Sequence, residues 1–114
     1  MKKGIIALTV SFLAVSAAAQ QPVSADRFAD AVNHWNKEHG AQTYERYKPG
    51  RFREIADNIV AYQNADGGWP KNLDMLARLD PDSVKAALKP RHRLSTLDNA
   101  NVYTQVEYLS NVYL

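Results

Sequence analysis

Two short clusters hold the residue types that could do chemistry. The first is Ala65-Asp66-Gly67-Gly68-Trp69-Pro70-Lys71-Asn72. Two glycines free the backbone, a proline then stiffens it, and a tryptophan stands between them. A flat indole beside glycines can stack on a sugar ring. The Lys71 ammonium can meet a carboxylate, and the Asn72 amide can hydrogen-bond hydroxyls. An equally open reading is a structural turn whose Trp69 plugs the core. The second cluster is Ser95-Thr96-Leu97-Asp98-Asn99. Asp98 can cap a helix that starts there. A carboxylate beside an amide oxygen also suits a hard cation such as calcium, which takes several oxygen ligands. Asp98 alone is too few, so the other ligands would come from elsewhere in the fold or from the substrate.

Other arrangements point less clearly to chemistry. His34 and His39 are five apart. That spacing does not put both on one helix face as a zinc-binding HExxH pair requires, so packing or surface roles fit them better. Asp80 and Asp82 read as helix-start charges. Lys89, Arg91, His92 and Arg93 form a basic cluster, either a solvated loop or an anion contact. The chain carries no P-loop, dinucleotide fingerprint or nucleophile elbow.

These clusters need elements to position them, and the apolar spacing predicts helices. Phe28, Ala31, Val32 and Trp35 form a stripe that predicts a helix over 26–37, with Ser24 or Asp26 as cap and Gly40 as stop. Tyr44 and Tyr47 are amphipathic and are expected to cover a core edge. Pro49-Gly50 marks a turn. Phe52, Ile55, Ile59 and Tyr62 predict a second helix over 51–64, with Arg53, Asp57 and Asn58 mostly on another face. It runs into Asp66-Gly67-Gly68, where glycine can end a helix. Residues 73–79 predict a short helical turn anchored by Met75 and Leu79. Asp80-Pro81-Asp82-Ser83 starts a further helix whose Val84, Ala87 and Leu88 face inward until Pro90. Val102, Val106, Leu109 and Tyr113 predict a helix over 99–114. The expected class is all-α.

The first residues read as an export signal. Lys2 and Lys3 precede an apolar run over 4–15, and Ala17-Ala18-Ala19 offers a cut before Gln20. A second possible cut follows Val23-Ser24-Ala25. The apolar run is shorter than the roughly 20 residues of a spanning helix. A secreted or periplasmic protein is expected, with no membrane association after cleavage. The chain has 14 Lys and Arg against 12 Asp and Glu, and losing Lys2 and Lys3 leaves the two signs equal. No global field then recruits nucleic acid. The absence of cysteine excludes disulfides and cysteine-ligated zinc.

The stretch from Ile55 to Gln63 followed by Asn64-Ala65-Asp66-Gly67-Gly68-Trp69-Pro70-Lys71-Asn72 resembles the N-terminal catalytic region of the family 10 polysaccharide lyases, which are pectate lyases. Ser95-Thr96-Leu97-Asp98-Asn99, then Tyr103-Thr104-Gln105 and Tyr108-Leu109, is similar to that family's next motif, in the same order and spacing. Between them the chain reads Ala100-Asn101-Val102, where the family has small residues and a threonine. The resemblance implies an (α/α) toroid of helical hairpins around a cleft. It implies calcium-assisted β-elimination on polygalacturonate: an arginine removes the proton alpha to the uronate carboxylate, and the 4-linked sugar leaves to give an unsaturated end. It further implies that Asp98 lies near calcium and substrate, that Asn99 contacts substrate, and that Trp69, Lys71 and Asn72 belong to the substrate-binding loop. The catalytic arginine is expected downstream, not at Arg91 or Arg93, and the full-length protein is expected to be a monomer. The last apolar stripe still runs at Leu114, so 20–114 is expected to be the N-terminal portion of such a domain, inactive alone. The rival expectation is a small helical carbohydrate-binding or interaction protein complete at residue 114.

Overall fold

The computed structural model describes residues 23–40 and 44–114. The leader assigned to 1–19 lies outside the described residues. Those described are helical and contain no strand; Arg46 and Ala77 form one isolated antiparallel bridge. None of their helices is long and apolar enough to cross a membrane.

A 3-10 turn at Asp26–Phe28 leads into α1, Ala29–His39. Ser24 Oγ accepts the Asp26 N–H at 3.3 Å. Gly40 closes α1 with its N–H on the Asn36 carbonyl. Phe28 and Trp35 are buried, as their spacing predicts.

Helix α2, Phe52–Tyr62, is the centre of the core. Ile55, Ala56, Ile59 and Tyr62 are each at most 1 % exposed, so the apolar stripe is packed along its length. It packs on both α3, Pro81–Ala87, and α4, Tyr103–Tyr113. Asn58 departs from its expected polar face. It is buried, and its Nδ2 donates to the Met75 and Ala77 carbonyls at 2.9 and 2.8 Å. The cause is the next segment. Residues 73–79 form no helix; Leu73, Met75 and Ala77 are buried in a non-helical run whose carbonyls need outside donors. Tyr47 N–H supplies one to Leu76 at 2.7 Å.

Asp80 caps α3 as expected, accepting from the Asp82 and Ser83 N–H groups at 3.3 and 3.2 Å. Val84 is buried, whereas Ala87, expected inside, is exposed at the last turn. Helix α4 starts at Tyr103, not at Asn99. Asn99, Ala100 and Val102 have φ of 56, 56 and 72°, which right-handed helix excludes. The packed face changes accordingly. Thr104, Gln105 and Tyr108 are buried, with the Tyr108 ring 5.3 Å from Phe28, while Val106 and Tyr113 of the expected stripe are exposed.

One buried ionic cluster ties the 44–47 segment to this core. The Asp74 side chain is fully buried, and its Oδ2 accepts from Arg46 Nε at 2.5 Å and from the Tyr44 hydroxyl at 2.7 Å. Arg46 Nη2 also donates to Asn36 on α1. Burial, and then the Asp74 carboxylate, push the Tyr44 phenol far above its ordinary pKa, so it remains a donor. Removing Arg46 would strand a buried charge with two remaining donors among the described residues, Tyr44 and the Leu76 N–H. Arg46→Ala is expected to lower unfolding free energy by about 3 kcal/mol, read from urea denaturation. A change near zero would show that solvent replaces the guanidinium.

Candidate functional site

The turn after α2 is built from its own side chains. Gly67 N–H donates to the Asn64 carbonyl at 2.9 Å, and Gly67 takes φ 87°, a conformation that disfavours other residues. Asn64 N–H returns to the Gly68 carbonyl at 2.8 Å. Asp66 Oδ1 accepts the Gly68 N–H at 2.9 Å and the Ser95 hydroxyl at 2.6 Å. Those two bonds, the Ser95 bond foremost, hold the Asp66 carboxyl below the usual aspartate range. Asn64 Nδ2 donates across to the Arg93 carbonyl at 2.8 Å and to Ser95 Oγ at 3.0 Å. The first cluster is thus fastened to the second.

Trp69 plugs the core. It is 2 % exposed, and its Nε1 donates to the Ile59 carbonyl at 2.6 Å. The indole therefore offers no face for a sugar to stack on, which corrects its assignment as a substrate-stacking platform. Burial of the largest apolar side chain in the loop outweighs its display to water. The Trp69 carbonyl remains useful. It accepts the Thr96 N–H at 3.1 Å and Asn101 Nδ2 at 2.6 Å. Asn101 also donates to the Thr96 carbonyl at 2.8 Å and accepts from Gln105 Nε2 at 2.6 Å. Both Asn101 amide hydrogens are engaged, so its oxygen must be the acceptor and Gln105 must donate. The Gln105 Oε1 has no partner.

This clamp brings Lys71 to Asp98. Nζ and Oδ2 are 2.5 Å apart, with both side chains about half exposed. The Asp98 N–H donates to Thr96 Oγ1 at 3.1 Å, and Asp98 Oδ1 accepts the Asn99 N–H at 3.1 Å. Asp98 caps neither α4 nor any other helix. The Lys71 ammonium, foremost by its hydrogen bond, holds the Asp98 carboxyl below its ordinary range. Asn72 and Asn99 both adopt positive φ, 62 and 56°. Asparagine reaches that region more readily than most residues. Val102 at φ 72° is a β-branched residue in a costly conformation, held there by the contacts around it.

Two recesses flank Lys71 and Asn72. A small one, also lined by Asp98, Asn99 and Gln105, has room for about one water. The other is a cleft of about 330 Å³ lined by Trp35 and Glu38 of α1 and by Arg91 and His92. Among the described residues no group of three histidine or acidic side chains could hold a metal ion. Asp98 supplies one carboxylate, with Lys71 already on one oxygen and a backbone N–H on the other. These residues do not make a calcium site by themselves.

Lys71, Asn72, Asp98 and Asn99 are therefore brought together, and Trp69 stands behind them. The spacing gave no hint of Asn64, Ser95, Asn101 or Gln105 as positioning residues. The departure at Ala100-Asn101-Val102 was the visible signal for Asn101. No family model matches the chain, and no curated protein or solved structure matches it.

A Cβ built on Gly68 would lie 2.7 Å from both Cβ and Oγ of Ser95. Gly68→Ala is expected to cost about 1–3 kcal/mol, and Ser95→Gly added to it should recover part of that loss. Strict additivity in this double-mutant cycle would refute the close approach. Asp98 and Asp66 contribute stability above the unfolded aspartate pKa of about 3.9, lost as pH falls through their lower folded values. Carbon-detected NMR should show Asp98 titrating below ordinary aspartate, and Lys71→Met should move it upward. Salt should weaken the effect because the pair is exposed.

Proposed function

We propose that the chain forms part of the catalytic domain of a pectate lyase of the family 10 type, acting on polygalacturonate. The described residues would supply one wall of its cleft, in an (α/α) toroid that the helical architecture is compatible with. The observation that carries this reading is the Lys71–Asp98 pair. It joins the two motifs that bear the resemblance at one exposed place, with Asn72 and Asn99 beside it.

In this reading Lys71 meets a uronate carboxylate and lowers the cost of charge developing there when the neighbouring proton is removed. Asp98 keeps the ammonium oriented. Asn72 and Asn99 present amides to hydroxyls. Calcium is the cofactor the resemblance implies, but Asp98 alone does not hold it, and no step is assigned through it. The base is assigned to none of the described arginines. Binding without chemistry is the second reading, as a small carbohydrate-binding module. It is favoured by the Asp98 carboxylate, both of whose oxygens are already engaged.

The packing at the start of the described chain bears on where such a leader would be cut. Val23 and Ala25 belong to the core, so a cut after Ala25 would remove both, whereas a cut before Gln20 keeps them. N-terminal sequencing of the exported protein is expected to begin at Gln20.

The decisive experiment expresses the complete reading frame and follows the ultraviolet absorbance of unsaturated uronide from polygalacturonate, with calcium and with EDTA. A calcium-dependent rise is expected, reduced roughly tenfold or more by Lys71→Ala. Polymer binding without product would favour the binding module. Turnover by the 114-residue chain alone would overturn the view that it needs further elements.

A further inference from the structure

The turn after α2 holds the one Asp–Gly pair of the sequence, Asp66-Gly67, and both residues are exposed. Such a pair has chemistry of its own: the backbone nitrogen of the glycine can attack the aspartate carboxyl, with no side chain in the way. A Cβ built on Gly67 would meet nothing within 4 Å, so the approach is open. The reacting groups are nevertheless engaged. The Gly67 N–H donates to the Asn64 carbonyl at 2.9 Å, which holds the proton that the attacking nitrogen must lose. Asp66 Oδ1 accepts from the Gly68 N–H at 2.9 Å and from the Ser95 hydroxyl at 2.6 Å, which fixes the carboxyl. Ser95 is itself held by Asn64 Nδ2 at 3.0 Å and stands against Gly68, where a Cβ would lie 2.7 Å from its Oγ. The Ser95 bond, foremost, also keeps the Asp66 carboxyl below the usual aspartate range and hence ionised. A carboxylate gives up an oxygen less readily than a carboxylic acid.

We propose that Asp66-Gly67 is a self-modification site, which isomerises through a succinimide when released, and that Ser95 holds it closed in the folded chain. In the first step the Gly67 nitrogen bonds to Asp66 Cγ and a Cγ–O bond of the neutral carboxyl breaks. The amide proton and the departing hydroxyl leave as water. Water then adds to a carbonyl of the ring. Opening at the Asp66 backbone carbonyl leaves the chain running through Cγ, and the former backbone carbonyl becomes the side-chain carboxylate. The composition is unchanged, and solvent is the sole co-reactant. The product carries one extra carbon in the main chain between α2 and Trp69 and no longer presents the Asp66 carboxylate to Gly68 and Ser95. The tie between the two loop clusters is weakened in consequence. This chemistry is independent of any action on sugars.

Prolonged incubation of the full chain in mildly acidic buffer tests this, with isoaspartate labelled by an isoaspartyl methyltransferase and located by peptide mapping. The native chain is expected to accumulate isoaspartate at Asp66 more slowly, by roughly tenfold or more, than the same chain held unfolded in urea. Ser95→Ala, shown to be folded by circular dichroism, is expected to fall between the two. Asp66→Glu should remove the labelled peptide, because its ring would have six members and close slowly. Equal rates in the native and unfolded chains, a folded Ser95→Ala no faster than the parent, or label that persists in Asp66→Glu overturns the proposal. The comparison of native with urea-held chain needs no variant, so a Ser95→Ala protein that fails to fold leaves it decisive.

Discussion

The Trp69 residue is gripped from two sides. Its indole N–H is spent on the Ile59 carbonyl inside the core, and its own carbonyl takes the Thr96 N–H and the Asn101 amide. Without a sheet among the described residues, the loops have no repeating backbone ladder to satisfy their polar groups. Side-chain amides do that work instead, and an unpaired carbonyl at this depth would cost more than a normal hydrogen bond contributes. Lys71 follows Trp69 by two residues and Asp98 follows Thr96 by two, so the clamp fixes where both charges emerge. The site is consequently only as well placed as the tryptophan behind it.

Neighbouring basic groups have separate jobs. Lys71 faces a carboxylate, Arg93 ties backbone carbonyls, Arg46 compensates a buried aspartate, and Arg91 and His92 are left facing the cleft. The near balance of 14 basic and 12 acidic residues conceals this division. What a polyanion would meet is local arrangement, since the sum of charges supplies little long-range field.

The fold was legible where apolar spacing coincided with helix geometry. Ile55, Ile59 and Tyr62 repeat on one face and are buried there, and Asp80 before Pro81 announced its own cap. Spacing failed where tertiary demand replaced local preference. Asn58 is inside because carbonyls of the non-helical 73–79 run need a donor, and α4 begins late because residues with positive φ precede it. At the site, Lys71, Asn72, Asp98 and Asn99 could be picked out by type. The burial of Trp69 could not, because an indole beside glycines serves equally as plug or platform. Asn64, Asn101 and Ser95 were hidden for a related reason: their bonds reach residues about thirty positions away.

The chain has two tryptophans, and they occupy unlike surroundings. Trp69 is sealed against α2 by a hydrogen bond. Trp35 lines the cleft, stacked on His39 with ring centroids 3.7 Å apart. The molecule therefore carries two native fluorophores with different sensitivities. Emission from Trp69 follows the integrity of the core, while that from Trp35 follows events at the cleft.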